Sequence, residues 1–183
     1  LYFIIVSICD EDNSSNFAAG KRGGYFPSVS AGWVVTNEKF MESTRNLMDF
    51  FKIRASWGQN GNCSIEAFNY LSNVAFDKTA KYSFGNSKDD QSTGGVAVNI
   101  ANPNTTWEKL VQTDLGFDAR FLNSRLNVNF DYYNKITSGW LLKAPIPQYY
   151  GVGEDGAPSI NGGDVSNKGV EIVLAWNDKV GKD

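Results

Sequence analysis

Apolar and polar residues alternate with a period of two from Thr113 to Lys135, the spacing that separates the two faces of an extended strand. Thr113, Leu115, Phe117, Ala119 and Phe121 fall on one face; Asp114, Gly116, Asp118 and Arg120 fall on the other. After Leu122-Asn123-Ser124-Arg125 the alternation restarts, with Leu126, Val128, Phe130 and Tyr132 set against Asn127, Asn129, Asp131 and Tyr133. With Asn123 and Ser124 as turn residues, Phe121 faces Leu126, Ala119 faces Val128, Phe117 faces Phe130 and Leu115 faces Tyr132. The other face then pairs Arg120 with Asn127, Asp118 with Asn129 and Gly116 with Asp131. One register gathers every apolar residue on one face, whereas a slip of one residue would reverse them all.

Four more segments read as strands. Leu1 to Cys9 is almost continuously apolar, and the polar stretch Asp10 to Gly24 reads as a loop. Tyr25 to Thr36 alternates Val29, Ala31, Trp33 and Val35 with Ser28, Ser30, Gly32 and Val34, and Pro27 sits near its start, where a missing N–H does least harm. Phe51 to Trp57 sets Phe51, Ile53, Ala55 and Trp57 against Lys52, Arg54 and Ser56, and Gly58-Gln59-Asn60-Gly61-Asn62 carries turn chemistry. Gly169 to Asn177 presents Val170, Ile172, Leu174 and Trp176 on its apolar face. Between these, Asn37 to Asp49 predicts a short amphipathic helix with Asn37 as N-cap and Phe40, Met41, Leu47 and Met48 as apolar positions. Cys63 to Thr106 and Ile136 to Lys168 show no sustained periodicity and are expected to be long loops.

Two architectures suit six such strands. A β-sandwich would turn the apolar face toward a second sheet. A transmembrane β-barrel would turn it toward lipid and the polar face toward a lumen. Segments of about ten residues match the length needed to cross a bilayer at a tilt. Phe121, Tyr132 and Tyr133 stand where interfacial girdles are expected, and long connections alternate with short ones. These features favour the barrel.

Composition narrows the function. With 42% hydrophobic and 14% aromatic residues in 183, the chain is not of the disordered class. Its longest apolar run, Leu1 to Val6, is too short for a membrane helix, a test that barrel strands escape. A net charge of −3 without a basic stripe argues against nucleic acid as a partner. There is no histidine, so Ser-His-Asp and Cys-His catalysis are excluded, and two cysteines alone cannot build a zinc site. No cofactor is called for. Cys9 and Cys63 lie near loops of non-adjacent strands, which argues against a disulfide. Asp10-Glu11-Asp12-Asn13-Ser14 resembles the start of a calcium loop, but Ser15 and Lys21 occupy the positions that require Gly and Glu. The bulky Ile8 before Cys9 argues against a lipoprotein signal, and a chain that opens inside a strand is expected to belong to a longer polypeptide.

Candidate site residues fall into two sets. On the polar face, Lys52, Arg54, Asp114, Asp118, Arg120, Asp131, Lys135 and Glu171 would line a lumen, or simply knit the wall together as cross-strand pairs. In the loops, Tyr70, Tyr82, Trp140, Tyr149 and Tyr150 are aromatic surfaces on which sugar rings could stack, or packing residues. A glycosidase needs two carboxylates about 5–9 Å apart. Asp114 and Asp118 lie four apart on one face, roughly 13 Å by strand rise. Asp118 and Asp131 come closer across the hairpin, but no desolvating pocket is evident, so catalysis is not expected.

The run Asn102-Pro103-Asn104-Thr105-Thr106-Trp107-Glu108 resembles the Asn-Pro-x-x-x-Trp-Glu signature of the SusC/RagA family of TonB-dependent outer-membrane transporters in Bacteroidetes-type bacteria. The likeness continues through Gln112-Thr113, Gly116-Phe117-Asp118, Phe121-Leu122-Asn123, Arg125-Leu126, Asp131-Tyr132-Tyr133, Pro145-Ile146-Pro147 and Asn167-Lys168-Gly169-Val170-Glu171. Upstream it takes in Ser14-Ser15-Asn16-Phe17, Tyr25-Phe26-Pro27-Ser28, Ala31-Gly32-Trp33 and Arg54 to Asn62. The chain departs from the family at Asp10 to Ser15, where Arg-x-Asp-Gly-Ser-Ser is usual. The resemblance implies an all-β fold: about six antiparallel strands of a larger up-and-down transmembrane barrel of roughly 22 strands. It also implies long extracellular loops, and one short helix in a periplasmic turn. Residues 1–183 would form part of a single barrel domain whose plug has no counterpart here. Import of oligosaccharides or peptides across the bacterial outer membrane follows from the same likeness. So do the expected partners: the rest of the barrel and its plug, outer-membrane lipid, a SusD-like surface lipoprotein, and TonB through an N-terminal part that this chain lacks. Trp107 is expected to anchor a strand end at the membrane interface. The alternative is a soluble or secreted β-sandwich that binds carbohydrate through its loops.

Overall fold

Backbone pairing organises everything else in the computed structural model, which describes residues 3–44, 47–83, 91–152 and 156–178. One six-stranded antiparallel sheet runs in the order β1 (Phe3–Asn13), β2 (Gly23–Val34), β3 (Met48–Asn62), β6 (Glu108–Phe121), β7 (Leu126–Ser138) and β10 (Val165–Trp176). Two small hairpins stand apart from it: β4 (Val74–Ser83) with β5 (Gln91–Ala97), and β8 (Leu141–Lys143) with β9 (Ser159–Asn161). Each large strand lies beside the large strands nearest to it in sequence, which is up-and-down topology. Among the described residues, β1 and β10 pair on one side only.

The β6–β7 register is the one the alternation predicts: Phe121 opposite Leu126, Phe117 opposite Phe130 and Gly116 opposite Asp131. At the tip, Leu122, Asn123 and Ser124 have φ of 57°, 56° and 61°, and the Arg125 N–H donates to the Leu122 carbonyl at 3.3 Å. Positive φ at both central residues is what a tight hairpin turn of matching twist requires. Leu and Ser adopt it at a cost. External bonds offset that cost: the Leu122 N–H donates to the Leu47 carbonyl at 3.2 Å, and the Ser124 N–H to Asp49 Oδ2 at 2.7 Å.

The same phase holds across β2, β3, β6, β7 and β10, while β1 is apolar on both faces, with Ile4, Val6 and Ile8 on the side of the polar rows. Phe3, Trp33, Ile53, Phe117, Phe130 and Ile172 stand opposite one another in one continuous row. The adjacent polar row is Ile4, Gly32, Arg54, Gly116, Asp131 and Glu171. On the apolar face Phe117 packs between Phe51 and Phe130, with ring centroids 5.7 and 5.4 Å away. On β10 the charge-free stretch is shorter, because Lys168 stands in the row of Asn134 and Thr113; along β6 this face carries no charge from Val111 to Phe121, and Lys109 lies beyond it. Ten steps of about 3.3 Å, at a tilt of about 40°, span about 25 Å, the height of the apolar band of a membrane barrel.

No second sheet covers this face among the described residues. Ile172 and Leu174 are 62% and 68% exposed, and among the described residues of the six strands Ala119 alone on this face is a buried apolar residue. A sandwich would seal these side chains in its core, so the sandwich alternative loses its defining feature. The chain is one layer of barrel wall.

Several expected boundaries shift. The loop expected from Asp10 shrinks, because β1 continues to Asn13 opposite Gly23. Gly58 to Asn62 is not a turn but the end of β3, paired with Gln112 to Glu108. In place of the helix expected over 37–49 stand two short 3₁₀ turns, Val35–Asn37 and Lys39–Thr44, separated by the extended Glu38 (φ −76°, ψ 149°), and the start of β3 at Met48; residues 45–46 lie outside the described residues. Glu38 instead accepts a hydrogen bond from Trp33 Nε1 at 3.0 Å. Tyr132 and Tyr133 lie mid-strand rather than at an end, and Tyr133 packs over Gly169 on the polar face. Both stretches read as structureless loops contain a hairpin.

Candidate functional site

Arg54 on β3 is the centre of the polar face. Its register neighbour on β6 is Gly116, and beyond that lies Asp131 on β7. With no side chain at Gly116, the guanidinium crosses a whole strand, and Arg54 Nη2 donates to Asp131 Oδ2 at 2.9 Å. Arg54 Nε and Nη2 also grip the two oxygens of Asp118, each at 3.1 Å. Asn129 Nδ2 adds a 2.6 Å bond to Asp118 Oδ1. Three strands are thereby stitched together by bidentate, charge-assisted hydrogen bonds. The arrangement also settles a local conflict, because Glu171 stands directly opposite Asp131 and like charges so placed repel.

The other predicted polar-face residues divide cleanly. Asp114 accepts from Ser56 Oγ at 3.3 Å and from Gln112 Nε2 at 3.0 and 3.2 Å. Arg120 lies over the Phe50 ring, its Cζ 5.1 Å from the centroid. Lys52, Lys135 and Glu171 make no ion pair among the described residues. A groove of about 500 Å³ runs along this face, lined by Ile4, Ser30, Val34, Phe50, Lys52, Arg54 and Asp114 among others. Gly116, Asn129, Gln112 and Phe50 were not singled out by sequence reasoning. A glycine inside an alternating strand signals close approach and is the local feature that marks the first of them.

Gly116→Val is expected to break the clamp. A Cβ there would run into the Asp131 carboxylate and lie 2.7 Å from the Phe130 carbonyl oxygen. Overpacking of this kind costs about 1–3 kcal/mol. Urea unfolding of the full-length protein in detergent should show that loss, while Gly163→Val, where nothing lies within 4 Å, should leave the midpoint unchanged.

At the opposite end from the tight turn, the loops have their own core. Phe17, Phe26 and Trp107 are buried together, with Trp107 5.3 Å from Phe17 and 5.4 Å from Phe26. Trp107 Nε1 donates to the Arg22 carbonyl at 3.0 Å. Trp107 therefore pins loops to one another and does not anchor a strand at the membrane interface. Its motif neighbours do similar work: Asn102 Nδ2 and Thr105 Oγ1 donate to the Ser159 carbonyl at 2.9 and 2.7 Å, and Glu108 accepts from the Leu141 N–H at 2.9 Å.

The loop aromatics are not gathered into one platform. Tyr149 and Tyr150 stack at 4.9 Å, with Tyr149 82% exposed. Tyr70 packs on Phe68 at 6.3 Å and accepts from Arg22 Nη2 at 3.4 Å. Trp140 and Tyr82 are exposed. Tyr70, Trp140 and the Tyr149–Tyr150 pair share no ring contact. Cys9 and Cys63 are both free thiols. No cluster of three or more Cys, Asp or Glu able to hold a metal ion exists among the described residues.

Comparison with known proteins places this geometry. The family model described as "TonB dependent receptor-like, beta-barrel" matches residues 10–181. TonB-dependent receptor P3 of Formosa agariphila is 34% identical over 174 residues, covering 94% of this chain and 16% of the relative. TonB-dependent receptor SusC of Bacteroides thetaiotaomicron is 32% identical over 174 residues, covering 94% of this chain and 17% of its own length. The RagAB peptide importer in its closed-closed state superposes with a TM-score of 0.82 at 26% identity, over 100% of this chain and 19% of that one. The siderophore receptor PirA of Pseudomonas aeruginosa, at 13% identity and a TM-score of 0.56, shares the fold alone. The chain thus spans less than a fifth of the curated relatives named here.

Proposed function

Because the chain belongs to the TonB-dependent receptor β-barrel family, we propose that it forms part of the wall of an outer-membrane importer for oligosaccharides or peptides. The observation that carries this reading is the uncovered apolar face, continuous over six strands and free of charge through its middle. Such a face is stable against hydrocarbon and costly against water. The opposite face, with Lys52, Arg54, Asp114, Asp118, Arg120, Asp131, Lys135 and Glu171, then looks into the lumen.

Residues 1–183 form part of one barrel domain, and the plug and the segment that engages TonB belong to other parts of the polypeptide. TonB supplies the energy, and a SusD-like surface lipoprotein covers the long-loop end, where Tyr82, Trp140, Tyr149 and Tyr150 are open to contact. The two open edges of the sheet are continued by further strands, since unpaired backbone groups are not tolerated in lipid. The protein is a transporter and not an enzyme.

The full-length protein is expected to fractionate with outer membranes, to require detergent for extraction, and to support solute uptake only in cells with functional TonB. Recovery as a soluble monomer would overturn the proposal.

A further inference from the structure

We propose that the lumen side of β1 is a dry seam, where Ile4, Val6 and Ile8 dock a folded segment of the same polypeptide held inside the barrel. This rests on the lumen reading of the polar face and goes beyond it by naming what one part of that face meets. The three side chains stand in succession on the side of the polar rows, opposite Gly32, Ser30 and Ser28 of β2. They are 58%, 47% and 54% exposed. In the same rows β3, β6 and β7 carry Arg54, Asp114, Gln112, Asp131 and Lys135, so the aliphatic run is confined to one side of the wall.

The residues around this run shape it into a groove. Glycine and serine on β2 leave the aliphatic side chains standing above a low floor. Two cavities of about 500 and 280 Å³ run on from one another along it, both lined by Ser30 and Ser56. At the tight-turn end the Lys52 stem lies across Gly32, its Cε 3.3 Å from where a Cβ would stand, and adds methylene surface to the cavity that Ile4 also lines. At the loop end Phe26 closes the groove. From Ile4 to Ile8 it runs about 13 Å by strand rise, room for one face of a short strand or about two turns of helix.

Wall strands cannot cover these side chains. A strand paired to the free edge of β1 lies in the plane of the sheet and leaves both faces open, so the cover comes from within the lumen. A passing solute is a poor cover. Ile and Val side chains offer no donor or acceptor to orient a sugar or a peptide backbone, and contiguous aliphatic surface left in water between transport events is unfavourable. Stiff, branched side chains suit permanent packing, since little rotamer freedom is lost on docking. The length of the polypeptide supplies the occupant. At 183 residues for six strands, a wall of about 22 strands takes roughly 670 residues. The 174 residues matched make up only 16% of TonB-dependent receptor P3, which is therefore longer than such a wall by about 400 residues.

Photo-crosslinking of the full-length receptor in outer membranes tests the seam, with p-benzoylphenylalanine placed singly at Ile5, Val6 or Ile8 and the adducts mapped by mass spectrometry. Val6 and Ile8 should couple to a receptor peptide outside residues 1–183 that Ile5, which leaves β1 through the lipid side, does not reach. In a background with Cys9 and Cys63 replaced by serine, Val6→Cys should react with a water-soluble maleimide at least tenfold more slowly than the same variant unfolded in urea. Adducts that are absent, or limited to the next wall strand that Ile5 also reaches, would overturn the seam. So would Val6→Cys labelled at the unfolded rate. Absence of the receptor from outer membranes would instead show that the wall reading itself has failed.

Discussion

Phe117→Arg should reduce folded receptor in the outer membrane at least tenfold. Phe117 sits mid-row on the apolar face, between the rings of Phe51 and Phe130. An arginine at the bilayer midplane costs about 2–4 kcal/mol. Losing two aromatic contacts adds about 0.5–1.5 kcal/mol each. Against a total stability of about 5–15 kcal/mol, that sum removes a large fraction of the margin. Val128→Arg, on the same face of β7, should behave alike. Asn129→Arg, one residue on but on the polar face, gives up the bond to Asp118 and costs about 1 kcal/mol. Quantifying the heat-modifiable, folded band in outer-membrane fractions compares the three directly. Equal tolerance at all three positions would contradict the assigned faces.

Arg54→Met should destabilise the wall by about as much as Gly116→Val, through the same clamp. It removes all three bonds of the clamp and leaves Asp118 and Asp131 without the cation that holds them, with Glu171 still directly opposite Asp131. The residues are half-exposed, so solvent screens part of the loss, and about 1–3 kcal/mol is expected. Asp131→Asn in the Arg54→Met background should recover part of it by removing one of the stranded charges. Urea midpoints of the purified full-length receptor measure both, and additivity of the two substitutions would show that the groups do not interact.

The sheet was legible where one face is apolar and the other polar, because a period of two admits one register only. Phe117 opposite Phe130 and Gly116 opposite Asp131 follow from that alone. The alternation fails where both faces are small or polar. Gly58 to Asn62 has turn composition, yet it continues β3, since Gly61 lies under the Phe26 ring and leaves no room for a side chain. The β4–β5 hairpin escaped notice because Gln91–Ala97 has neither face apolar. Trp107 misled for a different reason. Its partners Phe17 and Phe26 are distant in sequence and joined only by loop packing, which no local pattern reveals. At the candidate site, the charged residues were visible as one face of each strand. The strand-crossing reach of Arg54 over Gly116 emerged only when three strands were set side by side.

Spin labels placed singly from Thr113 to Phe121 in the membrane-embedded receptor, with Cys9 and Cys63 replaced by serine, probe the account at its root. Collision rates with lipid-soluble oxygen should peak at Leu115 and Phe117, and those with a water-soluble nickel chelate at Asp114 and Asp118, out of phase by one residue. Oxygen access that is uniformly low at Leu115 and Phe117 would mean that protein covers them, and would contradict the membrane wall.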